Sequence, residues 1–172
     1  MAWKYTGTLR PPFAEFPVDG QESVWDYPRT PIIEQDSRLV AVKLDDLVIA
    51  ESSRAVRVLE TASPPTFYLH ADDVRTDLLI HEQGSTYCEW KGVALYFGIP
   101  GPDTIVHRAG WFYPRPKAPF EELATYVSFY PAKLDCFVAG ERVRPQPGGY
   151  YGGWLTSEIA GPVKGAPGSA NW

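Results

Sequence analysis

The chain has 172 residues, a net charge of −5 at neutral pH, and 44 % hydrophobic against 22 % charged residues. That length suits one domain with a sizeable core, and that composition is globular rather than disordered. A net negative charge offers no general attraction to phosphate backbones, so nucleic acid is not expected as a partner.

Residues 1–34 combine Pro11, Pro12, Pro17, Pro28 and Pro31 with Tyr5, Phe13, Phe16, Trp25 and Tyr27. Disordered tails are poor in aromatics, and each ring buries about 150–250 Å² when packed. This segment is therefore expected to be an arm laid over the core or over a second subunit, which would make a homodimer. The first twenty residues hold no signal-peptide core, and no apolar run approaches the roughly 18–20 residues of a membrane span. A cytoplasmic protein without a membrane partner is expected.

Residues 35–145 alternate strand-like runs with turn signals. Arg38–Leu44 and Leu47–Glu51 flank Asp45-Asp46, a hairpin signature. Arg54–Leu59, Thr66–Leu69, Leu78–His81, Thr86–Trp90, Val93–Ile99 and Ile105–Tyr113 follow as strands, with a turn or single helical turn at Ala71–Val74. One short helix is expected near 119–128. Pro119 would stand at its first position, Glu121 and Glu122 in its first turn, and Leu123, Tyr126 and Val127 on one stripe. Lys133–Val138 and Glu141–Val143 close the zone as a hairpin around Ala139-Gly140. Residues 146–172 form a Gly-rich C-terminal arm, and Tyr150, Tyr151, Trp154 and Trp172 argue that it too is packed on the core or on a partner subunit. The expected fold is mainly β: a single antiparallel domain, tent-like or a partly open barrel or sandwich, with extended arms at both ends.

The densest chemistry lies in Thr86–Tyr96 (TYCEWKGVALY). Strand alternation puts Cys88 and Trp90 on one face, with Tyr87 and Glu89 on the other. Two placements of Lys91 are open. A turn at Gly92 can leave the lysine at a solvated hairpin tip with Cys88 inert in the core. Alternatively the chain bends at Gly92 and aims Lys91 into a concave sheet beside Tyr96, to bind an anionic or carbonyl group or to act as an amine nucleophile. Trp111 and Tyr113 share a face, and their amphipathic edges suit either core or pocket wall. Asp72, Asp73, Arg75 and Asp77 form a charged turn from which Asp73 or Arg75 could supply acid–base or anion-binding groups.

Several chemistries lack their motifs. The chain has no phosphate-binding G-x-x-x-x-G-K-[ST], no G-x-G-x-x-G and no G-x-S-x-G. Gly84-Ser85 is not followed by the paired aspartates that two-metal phosphoryl transfer requires. Cys88 and Cys136 form no Cys-x-x-Cys, and His70, His81 and His107 show no ligand spacing with them, so no metal and no cofactor are expected. Both thiols are expected to be free.

A set of positions resembles a known family. Ala50-Glu51-Ser52 with Arg54-Ala55, Tyr68 with Asp73-Val74, Thr86, Cys88, Trp90, Lys91, Gly92, Ala94 and Tyr96, then Trp111, Tyr113, Pro114 and Pro116 are similar to the domain-of-unknown-function 427 family over roughly residues 38–145. The C-terminal GGWLTSEIAGPVKGAPG is similar to an extension of some members. The resemblance implies a small β-rich, tent-like domain, sometimes labelled nucleotidyltransferase. Folds similar to this one often hold zinc through four cysteines, whereas this chain has two, and Glu89 stands where the family commonly has proline.

Together these readings lead to an aromatic-walled pocket for a small anionic or carbonyl-containing metabolite. Cys88, Lys91, Tyr96, Trp111 and Tyr113 would line it, with Arg54, Asp73 and Arg75 at its edge. If turnover occurs, Lys91 or Cys88 would react and Asp73 or Tyr96 would handle the proton. The alternative is a non-catalytic dimerisation module whose motif residues are structural.

Overall fold

The computed structural model describes residues 4–172, so the first three residues of the N-terminal arm lie outside it. The strands in chain order are β1 (Glu22–Ser23), β2 (Ile32–Asp36), β3 (Val40–Leu44), β4 (Leu47–Ser52), β5 (Ala55–Leu59), β6 (Thr66–His70), β7 (Ile80–Cys88) and β8 (Gly92–Pro100). They continue with β9 (Ile105–Phe112), β10 (Tyr126–Phe129), β11 (Asp135–Val138), β12 (Glu141–Arg142), β13 (Arg144–Pro145), β14 (Trp154–Leu155) and β15 (Ile159–Ala160). A seven-stranded antiparallel sheet runs in the order β2-β5-β6-β10-β9-β8-β7, and a four-stranded sheet in the order β12-β11-β3-β4. The fold is mainly β and antiparallel, and its sheets do not close into a barrel.

Alternation along the seven-stranded sheet explains the layering. Phe67 and Leu69 of β6, Phe97 and Ile99 of β8, Ala109 of β9 and Phe129 of β10 meet Val40, Val42, Ile49, Cys136 and Val138 of the four-stranded sheet in the main core. The intervening residues point to the other face, where Val58, Tyr68, Ala94, Tyr96, Trp111 and Tyr113 form a second, aromatic cluster. Two-residue periodicity therefore builds a sandwich on one face and leaves the opposite face to be covered by loops and arms. Gly110 permits this spacing: a Cβ there would stand 2.2 Å from the Ser128 carbonyl oxygen and 2.4 Å from the Phe97 ring.

The helix expected near 119–128 is not formed. A 3-10 turn spans Glu121–Thr125, and Tyr126–Phe129 is strand β10, with Val127 paired to Leu69 on one side and to Phe112 on the other. Only Leu123 of the turn is buried. Five residues cannot propagate an α-helix, whereas ladders on both sides reward the extended form of Tyr126–Phe129 at once. A smaller shift occurs at Leu78–His81, where Leu78 ends a 3-10 turn and β7 begins at Ile80.

Both arms pack on this chain. Ile32–Glu34 belong to β2, and β1 pairs in parallel with β15, so the N-terminal segment is laced to the C-terminal one. Phe13 stacks on Trp172 at 4.9 Å, and Tyr5 meets Trp25 edge-on at 5.5 Å. The Arg57 guanidinium, nearly buried, bonds to Glu22 of the arm and to Glu34, its cross-strand partner. Trp154 of the C-terminal arm inserts fully into the main core, stacked on Phe67 at 5.0 Å, with its Nε1–H donating to the Phe129 carbonyl.

Candidate functional site

Lys91 sits in the turn between β7 and β8, yet it is only 8 % exposed. Gly92 takes φ +95°, a conformation cheap only for glycine, which turns the lysine side chain under the sheet. The outer side of the turn is then covered. Lys117 N–H donates to the Lys91 carbonyl, and Lys117 Nζ donates to the Glu89 carbonyl at 3.0 Å. Of the two placements open to the sequence, the chain adopts the inward one, because the loop after β9 occupies the place solvent would take at a bare hairpin tip.

The ammonium of Lys91 lies 5.7 Å from the Phe120 ring centre and 5.9 Å from that of Tyr113. Among the described residues no carboxylate approaches it within 4.0 Å. Burial alone would lower its pKa, but the electrostatic influence of neighbouring Tyr68, Cys88 and Glu60 opposes this, and the balance lies above the usual lysine value. Lys91 is a buried ammonium, not a free amine.

A cavity of about 540 Å³ opens in front of it. One wall comes from the aromatic face of the large sheet. Tyr96 of β8 stands opposite Trp111 of β9 in register, and Trp111 Nε1–H donates to the Tyr68 hydroxyl at 3.4 Å. The Tyr96 hydroxyl is 2.7 Å from that of Thr86. Burial pushes the Tyr68, Tyr113 and Tyr130 phenols upward, so all three stay protonated at neutral pH. The half-buried Cys88 thiol shares this wall, and both it and Cys136 are free.

The facing wall belongs to the C-terminal arm: Tyr150, Tyr151, Gly152 and Lys164. The arm lies flat against the sheet because Gly152 has no side chain; a Cβ there would come within 2.1 Å of the Trp111 ring. Buried Gln146 braces it, donating to the Lys164 carbonyl at 2.8 Å and accepting from Gly153 N–H at 3.1 Å. Gly152→Val is expected to lift the arm or tilt Trp111, costing about 1–3 kcal/mol as an overpacked contact. A chemical melt with Trp fluorescence would show a lower midpoint and a red-shifted native spectrum.

Glu60 also faces the cavity. Its carboxylate accepts from Trp90 Nε1–H at 3.3 Å and lies 3.9 Å from the Arg29 guanidinium. Burial raises its pKa, and the nearby Lys91, Arg29 and Lys164 only partly offset that.

The structure thus brings Cys88, Lys91, Tyr96, Trp111 and Tyr113 to one cavity. It places the other three candidates elsewhere. Arg54 and Asp73 form a bidentate pair at 2.8 and 2.9 Å, and Ser52 also donates to Asp73. Arg54 keeps the Asp73 carboxyl below its ordinary value, chiefly through these bonds. Arg75 is paired with Asp77 on the surface. All three lie outside the cavity lining, and the charged turn braces the end of β4, where Ala50 bridges Val74. Sequence reasoning missed Glu60, Lys164, Tyr150 and Tyr151. The pattern GGYYGG held a signal, since paired glycines let two rings lie close over a surface. A lone glutamate and a lone lysine in Gly/Pro-rich surroundings held none.

A small antiparallel β domain with an aromatic-walled cavity around a buried lysine defines the class of this protein. Residues 32–140, more than half of the chain, match the family described as a domain of unknown function, DUF427, and the chain belongs to that family. No characterised protein matched the sequence. The matched span contains Lys91 and the sheet wall, while the C-terminal arm follows it.

Proposed function

We propose that this is a cytosolic protein that binds a small anionic or carbonyl-containing metabolite in the aromatic cavity, with the anionic group on Lys91. The observation that carries the reading is the Lys91 ammonium itself: nearly buried, facing an open cavity, with no carboxylate of the described residues at salt-bridge distance. An ammonium held in its charged form at the wall of a cavity, with hydrogen-bonding capacity not taken up by a carboxylate at short range, is a seat for an anionic group. The aromatic side chains in the lining, Tyr68, Tyr96, Trp111 and Tyr113, suit a ligand with a flat apolar body, as in an aryl carboxylate or a keto acid. Two free thiols fit a reducing compartment.

Benzoate and benzyl alcohol separate this reading from generic hydrophobic uptake. Benzoate should quench the intrinsic Trp fluorescence saturably, while the alcohol, similar in size but neutral, should bind at least about tenfold more weakly, the value of one charge-assisted contact. Equal affinity for the two would overturn the proposal.

Exposed Leu9, Phe16 and Val18 on the N-terminal arm favour, as a second reading, a homodimer through that arm. Phe16→Ser would then convert a dimer to a monomer in sedimentation equilibrium; a monomeric parent protein would dispose of this reading.

A further inference from the structure

The cavity holds two lysines, and their surroundings divide the labour between them. Lys91 comes from the sheet, whereas Lys164 comes from the C-terminal arm, outside the family-matched span. Lys164 is 5 % exposed, and its Nζ lies 5.4 Å from the ring centre of Tyr151, which lines the same cavity. Its backbone is fixed on both sides: its N–H donates to the Ala62 carbonyl at 2.7 Å, and its carbonyl accepts from Gln146. Burial pushes its ammonium pKa downward and Arg29 acts in the same direction, while Glu60 and Glu89 oppose them. This is the opposite balance to that at Lys91. Glu60 lies within electrostatic reach of both lysines and carries a carboxyl whose proton affinity is raised.

We propose that Lys164 condenses reversibly with the carbonyl group of a ligand whose anionic group rests on Lys91, so that the substrates are small carboxylates bearing an aldehyde or ketone. The proposal rests on the anion-binding reading of the same cavity. The Lys164 ammonium first gives one proton to Glu60. The amine lone pair then attacks the carbonyl carbon, a C–N bond forms, and a proton passes from nitrogen to oxygen to give the carbinolamine. Glu60 returns its proton to that hydroxyl, the C–O bond breaks, and water leaves. The product is the protonated imine, with the charge unchanged and Glu60 restored. No oxidant, reductant or metal enters the balance. A lysine desolvated beside a second cation, with a carboxylate near it to take up and return a proton, is the general arrangement for imine formation.

4-Carboxybenzaldehyde combines the carboxylate, the flat ring and the carbonyl, and sodium cyanoborohydride traps its imine as a stable secondary amine. Peptide mapping of the treated full-length protein should find the carboxybenzyl group on Lys164 at about tenfold the level on exposed Lys117 or Lys133, because the anchored aldehyde is held at high effective concentration. Excess benzoate should suppress the Lys164 adduct, Lys91→Ala should reduce it, and Lys164→Arg should abolish it while keeping the positive charge. Labelling that follows exposure alone, in a protein that binds benzoate, overturns the imine proposal and leaves the anion site standing. Failure of benzoate to bind overturns both.

Discussion

Trp154→Ala is expected to cost about 3–5 kcal/mol in unfolding free energy, the largest effect of any single truncation in the C-terminal arm. Trp154 is fully buried in the main core, stacks on Phe67, and satisfies the Phe129 carbonyl through its Nε1–H. Truncation removes the ring from the core, leaves a cavity between β6 and β10, and orphans a buried acceptor. Chemical denaturation monitored by far-UV circular dichroism would measure the loss. The consequence for function follows from position. Trp154 is two residues from Gly152, so an arm that lets go of the core also lets go of the cavity wall. A variant that lost less than about 1 kcal/mol would show that the arm is not part of the cooperative unit.

Lys91→Ala is expected to leave the protein folded and to weaken aryl-carboxylate binding by about 10–100-fold, the 1.5–3 kcal/mol of a charged hydrogen bond in a desolvated site. The side chain makes no salt bridge within the described residues, so its removal strands no buried carboxylate at short range. Glu60 loses one of three neighbouring cations and keeps its bond from Trp90 and the proximity of Arg29. The expected signature is therefore a thermal midpoint that barely moves without ligand and no longer rises when benzoate is added. Lys91→Arg is a stricter probe: it retains the charge but places a larger, planar group against Phe120 and Tyr113, so it should recover only part of the affinity.

How much of this was legible in the sequence differs from element to element. The hairpins around Asp45-Asp46 and Ala139-Gly140 carried local signals, short polar turns between alternating runs, and both formed. The expected helix at 119–128 failed because its apparent stripe of Leu123, Tyr126 and Val127 spans a 3-10 turn and a strand; the decisive partners, Leu69 and Phe112, are remote in sequence. The aromatic wall was half legible. Period-two spacing placed Trp111 with Tyr113, but that this face turns away from the four-stranded sheet depends on where the second sheet packs.

The same limit applied to Lys91. Gly92 announced a bend, yet the direction of the side chain was decided by Lys117 and the loop that covers the turn, a contact twenty-six residues downstream. Glu60 and Lys164 were illegible for a related reason. Their chemistry arises from burial beside one another in a cavity that two distant segments enclose, and no local pattern encodes that.

Crystals soaked with 4-bromobenzoate would test the central claim most directly. The account predicts an anomalous bromine signal inside the cavity, against its aromatic wall, with the carboxylate about 2.7–2.9 Å from Lys91 Nζ. A cavity that stays empty at saturating ligand, or a bromobenzoate whose carboxylate turns away from Lys91 toward solvent, would contradict it.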